Sequence, residues 1–452
     1  MINKSILTKK IFDFYHRTQG KSIGAFFIRK ASTAFFMNGV VTLVGLMTQI
    51  VLVRTLGSEQ YGDYIYVFSW ITILSLIANV GMNNTIIKHI ATYRAQGKWS
   101  EFHGIIRFAN WIPMAVSIII SVIMAFSLWI LRGYISQNLL YTFLCGCLLV
   151  PFYCLIQIRQ SALRSMMFIV RSCLPEKIIK PILLIMLVLL LFLLAPNYLN
   201  APLAMILDGI TIILAFLLGM VWLHKLLPKE VWDATPKYCT REWLDVALPF
   251  LLISSIMIIM NKVNIIMIGF YMGTEQAGFF AIASRITVFI TFSLQAVNTI
   301  FAPMISELYS TGKLVELQRI TYIAAWGIFA FSVPVAIIFI VFGEFLLSIF
   351  GKNYTIAYIP LVILAIGQIV NALSGSVGFI MNMTGHHHKT TQIFAFGLFF
   401  NIMLNMILIP YSGLNGAAFV SMITIMYWNV AMCLWVYKHL NINTTIFKRN
   451  WA

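Results

Sequence analysis

Three ionisable side chains, Asp208, Lys262 and Arg285, lie inside long apolar runs of this sequence. A charge there costs roughly 2.5–3.5 kcal/mol to insert into a bilayer core, so each is a functional candidate by default. Lys262 falls 8 residues before the end of its run and Arg285 8 residues into the next. At 1.5 Å per residue, both come to rest about 12 Å below one membrane face. Two cations at one depth repel unless an anion or a carboxylate lies between them. Asp208, about 8 Å below the same face, is the carboxylate within range. Two readings are therefore open: an anion-binding pair of cations, or a structural ion pair that one or both make with Asp208. Asp208, the one carboxylate well inside a run, is also a candidate proton carrier.

Amides enter the runs as well. Asn79, Asn83 and Asn84 lie on the second, Asn261 and Asn264 on the seventh, and Gln295 and Asn298 on the eighth. They serve either a polar cavity or interhelical hydrogen bonds, the latter worth roughly 0.6–1.7 kcal/mol each. His386-His387-His388 forms a short turn, and the other histidines supply no spaced partners for a metal site. No metal or cofactor is expected.

The elements that must position these residues follow from composition. The chain has 452 residues, 60% of them apolar and only 10% charged, and its mean hydropathy is +0.90. That excludes a soluble globular protein. Apolar runs near 20 residues recur twelve times between residues 34 and 436, each long enough to cross a ~30 Å hydrocarbon core as a helix. The expected fold is an all-α polytopic membrane protein of about twelve transmembrane helices.

Lysine and arginine give the orientation. Of 31 such residues, 26 fall at the two termini and in the loops on one side, 3 fall in the loops on the other, and 2 are Lys262 and Arg285. The positive-inside rule then puts both termini in the cytoplasm. The formal net charge of +17 is accordingly a topology signal with some affinity for anionic lipid headgroups, and nucleic acid is not an expected partner. The first 33 residues read as a basic cytoplasmic segment without a signal-peptide core, in which 22–30 has the pattern of a surface-lying amphipathic helix or a plain basic tail. Six cysteines lie in or beside the apolar runs and read as buried thiols. The loops assigned to the outside are short, which leaves no room for the catalytic domain of a membrane enzyme, and no nucleotide-binding G-x-x-x-x-G-K-[ST] motif is present.

An internal repeat organises the runs. Gly57-x-Glu59-Gln60-x-Gly62 follows the first and Gly273-x-Glu275-Gln276-x-Gly278 follows the seventh, an offset of 216 residues. The register continues: Tyr64 matches Phe280, Asn79 matches Gln295, and Gly97-Lys98 matches Gly312-Lys313 with a slip of one. Six runs per half make two six-helix lobes related as parallel repeats, with a substrate site expected between them. The expected division is a basic segment at 1–33, an N-lobe at 34–223, a cytoplasmic linker at 224–243, a C-lobe at 244–436 and a cytoplasmic tail at 437–452.

These motifs carry a family resemblance. The stretch 52–64, LVRTLGSEQYGDY, resembles the first-hairpin signature of bacterial polysaccharide (O-antigen type) flippases of the multidrug/oligosaccharidyl-lipid/polysaccharide exporter superfamily. Asn371-Ala-Leu-Ser-Gly375, Asn382-x-Thr384-Gly385, Asn401-x-x-x-Asn405 with Pro410, and Gly413-x-x-Gly416 extend it, as do Leu163-Arg164, Pro175-Glu176 and Pro181. The resemblance implies a flippase, not an enzyme, in the bacterial cell membrane. It would move undecaprenyl-pyrophosphate-linked oligosaccharide units outward by alternating access, with proton, sodium or membrane potential as the energy source and polysaccharide polymerase machinery as a partner. On that reading Lys262 and Arg285 receive the pyrophosphate, with Asp208, Asn79, Asn261, Asn264 and Gln295 as further substrate-binding candidates. An exporter of small amphipathic molecules, or of another polyprenyl-linked precursor, is the alternative on the same fold. A cation exporter would want buried carboxylates, and Asp208 alone supplies one.

Overall fold

A helix of 57 residues drawn straight would run about 86 Å, far more than a bilayer needs. The first helix, α1 (Ser22–Ala78), has that length but does not run straight. Tyr61 Oη donates to Gln49 Oε1 at 2.5 Å, although the two are 12 residues apart, so the chain reverses between them. The reversal is at Gly57, with φ 78° and ψ 173°. That backbone conformation is closed to residues bearing a Cβ. The last long helix reverses likewise at Gly413, which lets Asn401 Nδ2 donate to Thr424 Oγ1 at 3.1 Å across 23 residues.

The computed structural model describes residues 22–166 and 168–446. In chain order the helices are α1, α2 (Met82–Gln96), α3 (Trp99–Ile130), α4 (Gln137–Ser165), α5 (Ile169–Leu174), α6 (Lys180–Leu194), α7 (Ala201–Leu226) and α8 (Lys229–Asp233). The second half holds α9 (Thr240–Met272), α10 (Thr274–Thr287), α11 (Phe292–Ser310), α12 (Leu314–Val341), α13 (Gly343–Ser348), α14 (Tyr358–Leu373), α15 (Val377–Met383) and α16 (His387–Leu440). Among the described residues there is no strand. Ten segments are long and apolar enough to cross a membrane, and the two that fold at Gly57 and Gly413 each cross twice. Twelve crossings result, six in each half, and the chain is a multi-pass membrane protein. The basic residues at 1–21 and the tail at 447–452 lie outside the described residues, and the stretch 22–30 is the start of helix α1.

Both copies of the repeat take the same turn. Gly273 has φ 93° and ψ 161°, close to the values at Gly57, and the second pair agrees too, with φ 68° at Gly97 and 72° at Gly312. Of each glycine pair, only the first has the positive φ of the turn. Gly62 and Gly278 instead lie where the two copies meet. A Cβ on Gly62 would stand 2.5 Å from the Thr274 carbonyl oxygen and 2.7 Å from the Glu275 Cα, and one on Gly278 would stand 3.2 Å from the Gly62 Cα. Thr274 Oγ1 donates to Asp63 Oδ1 at 2.6 Å, Asn353 Nδ2 to Ser58 Oγ at 3.3 Å, and Arg54 Nε to the Ile349 carbonyl at 2.7 Å. Two copies of one tight turn thus dock backbone to backbone, which glycine at 62 permits and glycine at 278 eases.

The apolar core divides the same way. At this motif end one buried cluster runs through both halves, from Leu52, Tyr61 and Leu149 to Phe279, Tyr354 and Ala417. At the opposite end, where the described chain begins and ends, the clusters are separate. One comprises Ile86, Phe102, Leu163 and Trp243, and another comprises Phe301, Leu317, Met381 and Val436. The segment between the halves is fastened to the first half: Trp243 Nε1 donates to Tyr93 Oη at 2.9 Å, and Lys237 Nζ pairs with Glu101 at 3.0 Å. The lobes are therefore sealed at the motif end, while at the other end their buried clusters are distinct and the halves meet through α9, whose Ala247 joins the first cluster and whose Ser254 Oγ accepts from Asn84 Nδ2 at 3.2 Å.

Candidate functional site

Between the halves lies a cavity of about 250 Å³. Its wall is built from both arms of α1, the start of α6, and α7, α9 and α10. Asp208, Lys262 and Arg285 all line it, so the three charges picked out in the sequence converge on one space. Gln49, Tyr61, Tyr64 and Phe68 give the wall its polar and aromatic surface.

The charges divide into two sets. Asp208, 1% exposed, is bound by neither Lys262 nor Arg285. Its partner is Lys180, whose Nζ lies 2.8 Å from Asp208 Oδ1. Tyr153 Oη donates to Asp208 Oδ2 and accepts from Lys180 Nζ at 2.5 Å, which closes a three-membered cluster across α4, α6 and α7. The ion pair open to Asp208 in the sequence is thus made within one half, and it leaves the cations of the other half unneutralised. Lys262 is half-buried and Arg285 is exposed to the cavity, and among the described residues neither has a carboxylate within ion-pair distance. Gly45 leaves the room that the Arg285 guanidinium occupies, since a Cβ there would stand 2.5 Å from Nη2.

Phe68 connects the two sets. Lys180 Nζ lies 5.6 Å and Lys262 Nζ 5.5 Å from the centroid of its ring, and Lys180 also lies 4.7 Å from the ring of Tyr153. A desolvated ammonium gains about 2 kcal/mol on an aromatic face, which helps to hold cations in a low-dielectric wall.

Lys180 was hidden in the sequence. Counted with Lys177 beside Pro175 and Pro181, it reads as the last residue of a basic loop. The structure carries the helix back through the π-helical turn Pro175–Ile179 to Val170, which moves Lys180 a full two turns inside the span. A lysine between two prolines at the head of an apolar run was the available signal, since π-turns concentrate at functional sites. The aromatic wall had no such signal, because Tyr and Phe are common in any span.

The amide candidates lie elsewhere. Asn79, fully buried, donates to Asn83 Oδ1 at 3.0 Å and accepts from the Asn83 backbone. Asn264 donates to Ser421 Oγ and accepts from Asn405, both at 2.7 Å, within a network that continues to Asn401 and Thr424. These two join helices. Asn261, exposed, donates to the Met257 carbonyl at 2.7 Å, and Gln295 is exposed on α11; neither lines the cavity.

The fold agrees with what the chain is similar to. The sequence model of the polysaccharide biosynthesis protein family matches residues 27–309, and the chain belongs to that family. It is 27% identical over 164 residues to the probable flippase AglR of Haloferax volcanii, covering 35% of this chain and 34% of that protein. It is 29% identical over 148 residues to the capsular polysaccharide biosynthesis protein CapF of Staphylococcus aureus, covering 32% and 37%. The alignments thus span about a third of the length of each of these relatives. Two solved structures have the same fold. One is an inward-facing multidrug resistance MATE family transporter of the MOP superfamily, with TM-score 0.71, 15% identity, and coverage of 89% of this chain and 94% of that one. The other is the lipid II flippase MurJ in its inward closed conformation, with TM-score 0.69, 13% identity and coverage of 90% and 87%.

Proposed function

We propose that this protein is a flippase that carries undecaprenyl-diphosphate-linked oligosaccharide from the cytoplasmic to the external face of a bacterial cell membrane, for the assembly of a surface polysaccharide. The observation that carries this reading is the pair Lys262 and Arg285, held in an interlobe cavity with no carboxylate within ion-pair distance among the described residues. A lipid-linked sugar enters such a site headgroup first, and its diphosphate is the anion that two close cations require. Arg supplies a bidentate fork and Lys a compact charge. Tyr61, Tyr64 and Gln49 offer hydroxyls and an amide to the first sugar.

The chain divides into moving bodies at 34–223 and 244–436, with 224–243 as their cytoplasmic linker. Both termini are cytoplasmic by the distribution of Lys and Arg, so the sealed motif end faces outward. The structure is then the state that receives substrate from the cytoplasm, and transport requires the Gly62–Gly278 contact to part while the separate clusters at the other end close on each other. A small-cation exporter on this fold is disfavoured, because the one carboxylate of the cavity is already paired with Lys180. The polymerase machinery that extends the exported units is the expected partner.

Deletion of the gene tests the reading. Lipid-linked oligosaccharide should accumulate on the cytoplasmic face with loss of surface polymer, and the wild-type chain should restore both. Normal sidedness and normal polymer, in a strain with no second flippase, would refute it.

A further inference from the structure

The cavity wall holds three cations, Lys180, Lys262 and Arg285, and one carboxylate, Asp208. Its formal charge is therefore +2. A diphosphate diester has two ionised phosphoryl groups, so its charge matches the wall as it stands, whereas a monophosphate diester leaves one cation unanswered. Lys180 comes from one half, and Lys262 and Arg285 come from the other. Each ammonium group lies within 5.6 Å of the Phe68 centroid, and both residues line the same cavity of about 250 Å³, so an anion in that cavity is offered cations from both halves. What keeps Lys180 from such an anion is Asp208, at 2.8 Å.

We propose that Asp208 is a resident counter-ion that the substrate displaces: an entering diphosphate takes Lys180 from Asp208, so that Lys180 completes an anion site shared between the lobes and selects diphosphate-linked over monophosphate-linked lipid. This rests on the flippase reading above and names the third cation of that site. Three observations support it. The Asp208–Lys180 pair is on the cavity wall rather than behind it. The second anchor of Asp208 is the Tyr153 hydroxyl, which remains to hold the carboxylate once Lys180 leaves. Lys180 also has a second acidic neighbour in Glu176, but Glu176 shares its charge with Lys177 and Arg164 and takes no part in the cavity wall.

A dianion competes with a carboxylate for one ammonium, and it offers Lys262 and Arg285 a partner at the same time. A monoanion offers less on both counts. The resident carboxylate thus works as a threshold, since binding is a difference between the new contacts and the pair that is broken. It also keeps Lys180 paired when the cavity is empty, and a lone buried cation would otherwise be costly.

The test is equilibrium binding of undecaprenyl diphosphate bearing one hexosamine, and of undecaprenyl monophosphate bearing the same hexosamine, a phosphodiester with a single charge, to the full chain in lipid nanodiscs. The wild-type protein should prefer the diphosphate by tenfold or more. Asp208→Asn should tighten diphosphate binding about tenfold, the size of one close charge pair. Tyr153→Phe, which keeps every charge and loosens the counter-ion, should tighten it two- to threefold. Lys180→Met should weaken it about tenfold and abolish the gain from Asp208→Asn. Lys180→Arg, which keeps the charge if the Met variant does not fold, should preserve that gain. An Asp208→Asn gain that persists in Lys180→Met, or Asp208→Asn and Tyr153→Phe that bind like wild type or more weakly while folded, overturns the proposal. If the diphosphate binds and depends on Lys262 and Arg285 but not on Lys180, this inference alone falls. If neither lipid binds the wild-type chain, the flippase reading falls and takes this one with it.

Discussion

Replacing Gly62 by Ala probes the docking of the two repeat motifs with a single methyl group. The added Cβ would stand 2.5 Å from the Thr274 carbonyl oxygen and 2.7 Å from both the Glu275 Cα and nitrogen, where ordinary contact begins at 3.4 Å. All three are backbone atoms at the head of α10, so no side chain can swing aside, and the halves must separate by most of an ångström. Overpacking of this kind costs about 1–3 kcal/mol. At 2 kcal/mol, the sealed arrangement loses about thirtyfold in population relative to a state with that end open. The assay is cross-linking between Ser58→Cys and Asn353→Cys, whose native side chains meet at 3.3 Å across the seal. The cross-linked fraction should fall sharply in Gly62→Ala and stay unchanged in Gly327→Ala, where a Cβ meets nothing within 4 Å. Cross-linking at the wild-type rate in a folded Gly62→Ala protein would refute the claim that this contact holds the motif end shut.

Lys262→Ala and Arg285→Ala should each reduce surface polymer severely at normal protein level, as read by polymer immunoblot beside a membrane-fraction blot; full export in both would remove them from the site. Asn264→Ala, which breaks two hydrogen bonds of 2.7 Å, should lower the melting temperature in detergent by a few degrees, at roughly 1–2 kcal/mol, while leaving lipid binding intact; loss of binding without loss of stability would return Asn264 to the substrate site. At the linker, the hydrogen bond and charge of Lys237 hold the Glu101 carboxyl below its ordinary pKa of 4.5. Since that pKa is lowered by folding, the clamp is fully present above the ordinary value and is lost as pH falls through the folded one. The protection of residues 234–240 against hydrogen exchange, taken relative to the intrinsic rate at each pH, should therefore hold down to about pH 4.5 and fall below it, and Lys237→Ala should remove that dependence.

What the sequence disclosed about the site followed from rarity. Asp208, Lys262 and Arg285 are visible because a charge inside an apolar run is expensive, and all three face one cavity. Lys180, at 8% exposure, is more buried than either Lys262 or Arg285, yet the sequence places it at the edge of a run, where lysine is cheap. Only the π-turn after Leu174 shows that the span starts ten residues earlier. The amides illustrate the opposite error: Asn79 and Asn264 are polar and inside spans, but an amide can satisfy itself against a neighbouring helix, and these two do. The repeat was legible as a spacing, and its first glycines as turns. That the second glycines are where the copies touch could not be read from one copy at a time, because the contact belongs to the symmetry between them.

The central claim is that the chain moves a diphosphate-linked oligosaccharide across a bilayer by means of the Lys262–Arg285 cavity. Its most direct test is reconstitution of the purified chain into liposomes containing fluorescent undecaprenyl diphosphate oligosaccharide. A membrane-impermeant glycosidase added outside reports how much lipid has reached the outer leaflet. The account requires cleavage to pass beyond the initially exposed half in wild-type vesicles and to stop there in Lys262→Ala/Arg285→Ala vesicles. Cleavage halting at the exposed half with wild-type protein, under imposed proton, sodium and voltage gradients alike, or equal flipping by the double variant, would contradict it.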